Sequence, residues 1–252
     1  MEAFKMMDEN LTYYEKGATN SMRGSMTNAQ VAAEQLSFMN KVYMWMSVAL
    51  VVTGVVAMYV SSNIALVKMI VLNKVIFYGL LFGELALVWY LSAAIEKLSA
   101  ATATGMFLFY SAVNGLTLSV VFLVFTRESI ASTFFLTAAT FGIMSAFGYF
   151  TKSDLTAVGS FAIMGLIGVL IATVVNIFMQ NTFLHWIITY AGLAVFIALT
   201  AYDTQKIKDM NIIGNEGTEE DQKEAVMGAL TLYLDFINLF LYMLELFGGR
   251  KR

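Results

Sequence analysis

Seven apolar runs, each about as long as a bilayer is thick, follow one another along this chain with only short polar breaks. They occupy residues 42–60, 75–95, 104–125, 131–150, 155–179, 183–202 and 225–247, the sixth continuing as helix through Lys208. A helix that crosses the hydrocarbon layer needs roughly 20 mostly apolar residues. Barrel strands are about half that length and alternate in polarity. The expected fold class is therefore all-α: a polytopic membrane protein built as a seven-transmembrane-helix bundle. Composition agrees, with 59% hydrophobic and 13% charged residues and a mean hydropathy of +0.71, against about a quarter charged in ordinary soluble domains. No Cys is present, which excludes disulfide scaffolds, thiol catalysis and Cys-ligated zinc. No Pro is present either, so kinks must come from Gly, Ser or inserted side chains. A formal charge of -3 without a basic patch gives no sign of nucleic acid as a partner.

Residues 1–41 are polar and mixed in charge, and lack the basic patch and apolar core of a signal peptide. They read as a cytosolic N-terminal tail, ahead of a transmembrane domain over 42–249. Residues 28–40 read equally as a short interfacial helix and as an extension of the first span. The apolar connection 61–74 reads as lying in the interface. With the N-terminus in the cytosol, nine of the 15 Lys and Arg residues fall on the inner side, and this bias sets the expected orientation. The basic Arg250-Lys251-Arg252 terminus pulls the other way.

Four acidic side chains lie within the runs and the helical extension of the sixth: Glu84, Asp203, Asp235 and Glu245. A charge at mid-membrane costs on the order of 2.5–3.5 kcal/mol on insertion scales, so it normally faces the protein interior and marks a site or pathway. Thr231, Asp235, Asn238, Tyr242 and Glu245 share one helical face. That stripe expects the last helix to be central or cavity-lining; a plain hydrogen-bonded seam between helices is the alternative. The midpoint of 203 and 235 is 219, which is also the midpoint of the charged segment 214–224. A simple helical hairpin thus brings Asp203 and Asp235 to one level. Rotation about each helix axis decides whether they meet, and Asp203 beside Lys206 and Lys208 also reads as an interfacial cap.

Two carboxylates a few ångströms apart in a low-dielectric site cannot both ionise cheaply, and such a pair holds one proton between them near neutral pH. It is a proton switch. It is also a transient Ca²⁺ site, since carboxylates are hard oxygen ligands, with Asn238, Thr204, backbone carbonyls or water completing the shell. Glu84 either extends an acidic pathway outward or bonds to Tyr or Ser hydroxyls. Asn114 and Asn176 read as glue between helices. His185, the lone histidine, sits beside Trp186 in an aromatic-belt position.

The segments FMNKVYMWMSVALVVTGVVA (38–57), GELALVWYLSAAIEKLS (83–99), AATFGIMSAFGYFTKSDLTAVGSF (138–161), AYDTQKIK and LYLDFINLFLYMLELFG resemble the Bax inhibitor-1 family. It is also called the transmembrane BAX inhibitor motif family, and has bacterial YetJ-like and YccA-like members. The resemblance runs from about Lys41 to Gly248. It implies seven helices with the last one central, a bacterial inner-membrane location, and a pH-sensitive calcium leak whose paired aspartates fall on Asp203 and Asp235. The family's Arg near the cytosolic end of the second helix has no counterpart: Ala94 and Ile95 stand there, with Lys97 beyond.

The expected function is a Ca²⁺ or general cation leak, gated by protonation of Asp203 and Asp235, with Glu84, Thr231, Asn238, Tyr242 and Glu245 lining the pathway. Its partners would be the bilayer, Ca²⁺ and protons, and no cofactor is called for. The alternative is a non-conducting regulator that binds another membrane protein, such as a protease or stress-response partner. A remote alternative is an intramembrane aspartyl protease. Such enzymes need Gly-x-Gly-Asp in the second motif, where this chain has Tyr233-Leu234-Asp235, and a Pro-Ala-Leu turn. The expectation is therefore a protein that is not an enzyme.

Overall fold

Without proline, the chain uses Asn, Ser and Thr to stop one helix and start the next. The computed structural model describes residues 27–251. Helix α1 (Asn28–Ser62) begins at a capping box in which Thr27 and Gln30 bond reciprocally. Asn63 ends it and caps α2 (Ile64–Leu72), and Asn73 ends α2 and caps α3 (Lys74–Ala94). Ser99 caps α4 (Ala100–Leu118), which a tight turn joins to the single-turn α5 (Val121–Val124). Thr126 caps α6 (Arg127–Phe150), and α7 spans Thr156–Met179. Asn181 caps α8 (Thr182–Met210), and Thr218 caps α9 (Glu219–Phe247). In each cap a side-chain oxygen accepts an N–H that the first turn would leave unpaired. Among the described residues the only β pairing is an isolated antiparallel bridge, Phe125 to Arg250.

Seven of these helices are long and apolar enough to span a membrane: α1, α3, α4 with α5, α6, α7, α8 and α9. The polytopic all-α expectation holds. The expected start of the first span at residue 42 falls inside α1, which continues unbroken from Asn28; the rest of the tail, 1–26, lies outside the described residues. The apolar connection 61–74 forms α2, and at nine residues it reaches only about 14 Å, too short to cross.

Helix α9 is the axis. In its most apolar window 67% of residues are buried, against 11–33% in the other spans. Helices α1, α4, α6 and α8 pack around it, α7 lies outside on α8, and α3 lies outside on α4. Lipid offers apolar side chains as good a solvent as the protein does, so packing rests on close approach at small residues. Gly148 of α6 lies against the Ala201 carbonyl, Gly159 of α7 under the Tyr202 ring, and Gly192 of α8 under the Tyr242 ring. Trp89 of α3, Phe135 of α6, and Phe161 and Phe178 of α7 turn outward. Between α1 and α6 the ring around α9 stays open as an apolar groove of about 1310 Å³, floored by Phe236 and edged at one mouth by Arg127.

Candidate functional site: the seam between α8 and α9

The polar stripe of α9 faces α8. Near the turn, Gly228 of α9 packs against Ile207 of α8 and Val42 of α1. Two turns further along, the Asp235 carboxyl lies beside that of Asp203, near enough to hydrogen-bond once one of them is protonated. Beyond that, Tyr242 covers Gly192 and stacks on Phe196 at 5.9 Å. At the far end His185 Nε2 lies 3.1 Å from Glu245 Oε1. The hairpin register therefore holds along the whole seam.

The rotation of α8 is set from behind. Ala201 and Tyr202 are seated on Gly148 and Gly159. The Thr204 hydroxyl turns to α6, donating to the Thr200 carbonyl at 2.7 Å and lying 2.9 Å from Ser145 Oγ, which in turn lies 2.6 Å from the Tyr43 hydroxyl. With 201, 202 and 204 committed to α6 and α7, Asp203 is left facing α9.

Two carboxyl groups can hydrogen-bond to each other only when one carries a proton. Asp235 is 4% exposed, and its Oδ2 is buried with no partner among the described residues. Asp203 is half-buried and opens onto a cavity of about 560 Å³, lined also by Phe38, Lys206, Glu220, Glu224 and Thr231. This vestibule starts at the turn between α8 and α9 and ends at the level of Thr231 and Asp203. The Lys206 ammonium is near enough to act on the Asp203 charge, and lies 5.8 Å from the Tyr202 ring. Asp235 sits one turn deeper, behind Asp203.

The other sequence-picked residues scatter around this pair. Thr231 lines the vestibule, its hydroxyl bonded to the Met227 carbonyl. Asn238 turns its amide to the Leu234 carbonyl of its own helix, and Thr204 is engaged with α6, so neither stands ready as the ligand expected of it. Among the described residues no group of three or more His, Asp and Glu could hold a metal ion. Glu245 accepts from His185 and Arg250 at the end far from the turn, and lines neither of the two cavities above. His185 is thus tied into a polar cluster as well as lying edge-on to Trp186.

Glu84 lies apart from the dyad. It accepts from Thr117 Oγ1 at 2.5 Å and Asn114 Nδ2 at 3.4 Å, and Asn114 Oδ1 accepts from the Tyr233 hydroxyl at 3.1 Å. The same hydroxyl lies 2.7 Å from Thr53 Oγ1. Tyr233 is two residues from Asp235, about 200° around the helix, so this network is on the opposite side of α9. The expected Tyr or Ser bonds to Glu84 are instead Thr and Asn bonds, with Tyr233 one step removed. Asn114 does join helices, whereas Asn176 only caps the end of α7, through its own carbonyl and Asn181.

Sequence reasoning missed the clasp at the turn end. Lys41 donates to Asp221 at 2.6 Å, Glu34 accepts from the Gly214 N–H at 2.7 Å, and Glu219 accepts from the Ala100 N–H at 2.9 Å. Its one legible signal was the Thr27–Gln30 capping box, which announces that helix begins well before the apolar run.

The family profile described as "Inhibitor of apoptosis-promoting Bax1" matches residues 35–252. The chain belongs to that family, the Bax inhibitor-1 family. It is similar to the Inner membrane protein YbhL of Escherichia coli, 49% identical over 216 residues that cover 85% of this chain and 92% of that one. It is similar also to an uncharacterized protein of Borreliella burgdorferi, 43% identical over 214 residues covering 85% and 92%. An uncharacterized membrane protein of Streptococcus pyogenes is 36% identical over 183 residues, covering 73% and 79%. Family membership and seven membrane-length helices make this chain a multi-pass inner-membrane protein.

Proposed function

We propose that this Bax inhibitor-1 family member is a cation leak, with Ca²⁺ as permeant ion, gated by the proton that Asp203 and Asp235 share. The observation that carries the reading is the close approach of two buried or half-buried carboxyls at the inner end of a vestibule whose wall holds Glu96, Asp203, Glu220 and Glu224 against Lys206 and Lys223. While the proton is shared, their hydrogen bond ties α8 to α9 and closes the floor. Loss of that proton places two anions on facing helices, where repulsion parts them and a hard cation can take the proton's place. The buried, unpartnered Asp235 Oδ2 supplies a second oxygen to such an ion, and water or main-chain carbonyls the rest. The vestibule carboxylates Glu220 and Glu224 would gather cations at the mouth. The reading involves no covalent chemistry and no resident cofactor.

The test is Ca²⁺ entry into dye-loaded liposomes between pH 6 and 8, for the unmodified protein, Asp203→Asn and Asp235→Asn. Flux should depend on pH, and either substitution should flatten the profile. A pH-dependent flux that neither substitution alters would rule out the dyad as the gate. A second reading, a non-conducting regulator of another membrane protein, draws on the open groove between α1 and α6, which could seat a partner helix. Absence of flux at every pH would favour it.

A further inference from the structure

The turn joining α8 to α9 has a few bonds of its own, Asn215 N–H to the Ile212 carbonyl, Thr218 N–H to the Asn215 carbonyl and Asn215 Nδ2 to Glu224, and is tied down further by α1. It contains two glycines in the left-handed region, Gly214 at φ 96° and Gly217 at φ 82°, and the main-chain N–H of each donates to a carboxylate. Gly214 bonds Glu34 of α1, and Gly217 bonds Asp221 at 2.8 Å. Asp221, 1% exposed, is in turn bound by Lys41 of α1 through the same Oδ2. Ser37 donates to Glu216 at 2.5 Å. Glu34, Ser37, Phe38 and Lys41 occupy one face of α1, and that face lies on the turn and forms part of the vestibule wall at Phe38. Val42, the next residue, packs on Gly228.

The closed turn also carries a cost. Both amide atoms of Asn211 and Oδ1 of Asn215 are buried with no partner among the described residues. Lifting the turn into water would satisfy them. Opening the turn would therefore regain hydration that the closed turn lacks, against the loss of the bonds to α1.

We propose that the first four turns of α1 are a strap that keeps the vestibule narrow, with the Lys41–Asp221 ion pair as its latch. Releasing Lys41 frees the turn, lets the ends of α8 and α9 separate from α1, and widens the path to Asp203. The latch is charge-specific: Lys41 is the only cationic partner that Asp221 has among the described residues. Its consequence for ion flow rests on the leak reading above; its effect on access to the vestibule does not.

The chain has no cysteine, so Thr231→Cys places a unique reporter on the vestibule wall. A water-soluble thiol reagent is applied to the full chain in nanodiscs, in the Thr231→Cys background alone and with Lys41→Arg, Lys41→Gln or Asp221→Asn. Lys41→Gln and Asp221→Asn should speed labelling about tenfold, and Lys41→Arg should leave it near the parent rate. Equal rates in all four overturn the strap. Faster labelling in Lys41→Arg as well overturns the charge latch. Hydrogen exchange of the turn amides, measured alongside, must rise in the turn and not in the buried middle of α9; a rise throughout means the variant is unfolded, and Ser37→Ala, which removes one strap bond without touching a charge, then decides by the same labelling assay. In liposomes the fast-labelling variants should leak Ca²⁺ faster. No Ca²⁺ flux in any of them, with labelling still accelerated, sinks the leak and leaves the strap standing.

Discussion

Asp235 and Glu84 are both carboxyls buried within the bilayer span, and they differ in what compensates them. Glu84 accepts two hydrogen bonds from α4, whereas Asp235 has the Asp203 carboxyl beside it and an oxygen with no partner among the described residues. Glu84 is therefore satisfied and Asp235 is poised. Glu84→Gln keeps an oxygen for Thr117 and should change unfolding free energy by about 1 kcal/mol or less, while Glu84→Leu strands two donors and should cost about 1–3 kcal/mol. Thermal unfolding in a fixed detergent measures both. Asp235→Asn should behave oppositely with respect to function. It keeps a donor for Asp203 and so the fold, but removes the proton that can leave.

At the scale of helices, the account depends on how α8 is turned. Replacing Gly159 with Leu or Gly192 with Val overfills a glycine contact and should cost about 1–3 kcal/mol in stability. It should also rotate or displace α8, so that Ca²⁺ flux loses its pH dependence with both aspartates intact. An unchanged pH profile in a folded Gly159→Leu protein would show that α8's seat on α7 does not position Asp203. This is where the reading of the sequence stopped. The level of the two aspartates was legible because both are equidistant from one charged turn, a property of two helices alone. The direction of Asp203 was not, because it is decided by Gly148 and Gly159, some fifty residues earlier on two other helices. The inward face of α9 was legible from its stripe, but its target was not: the stripe faces a neighbouring helix rather than an open pore. The clasp at the turn was hidden because Lys41 and Asp221 each look like ordinary solvated charges until the fold brings them together.

For the whole molecule, seven crossings place the turn between α8 and α9 and the start of α1 on one side, and Arg250 on the other. The absence of cysteine makes this simple to check. A cysteine at Glu216 should react only from the cytosolic face of sealed vesicles and one at Lys251 only from the opposite face. Labelling of both from one face would mean that one run fails to cross. On the leak reading, the central placement of α9 matters because movement of α8 against α9 would part or join the Asp203 and Asp235 carboxyls. The central claim is that Asp203 and Asp235 hold a single proton between them in the closed protein. Infrared difference spectroscopy of the unmodified protein against Asp235→Asn, at neutral pH in lipid, measures it most directly. The account predicts the carbonyl band of one protonated carboxylic acid, lost in the variant while the Asp203 carboxylate band remains. Loss of one carboxylate band with no protonated acid in that difference would contradict it.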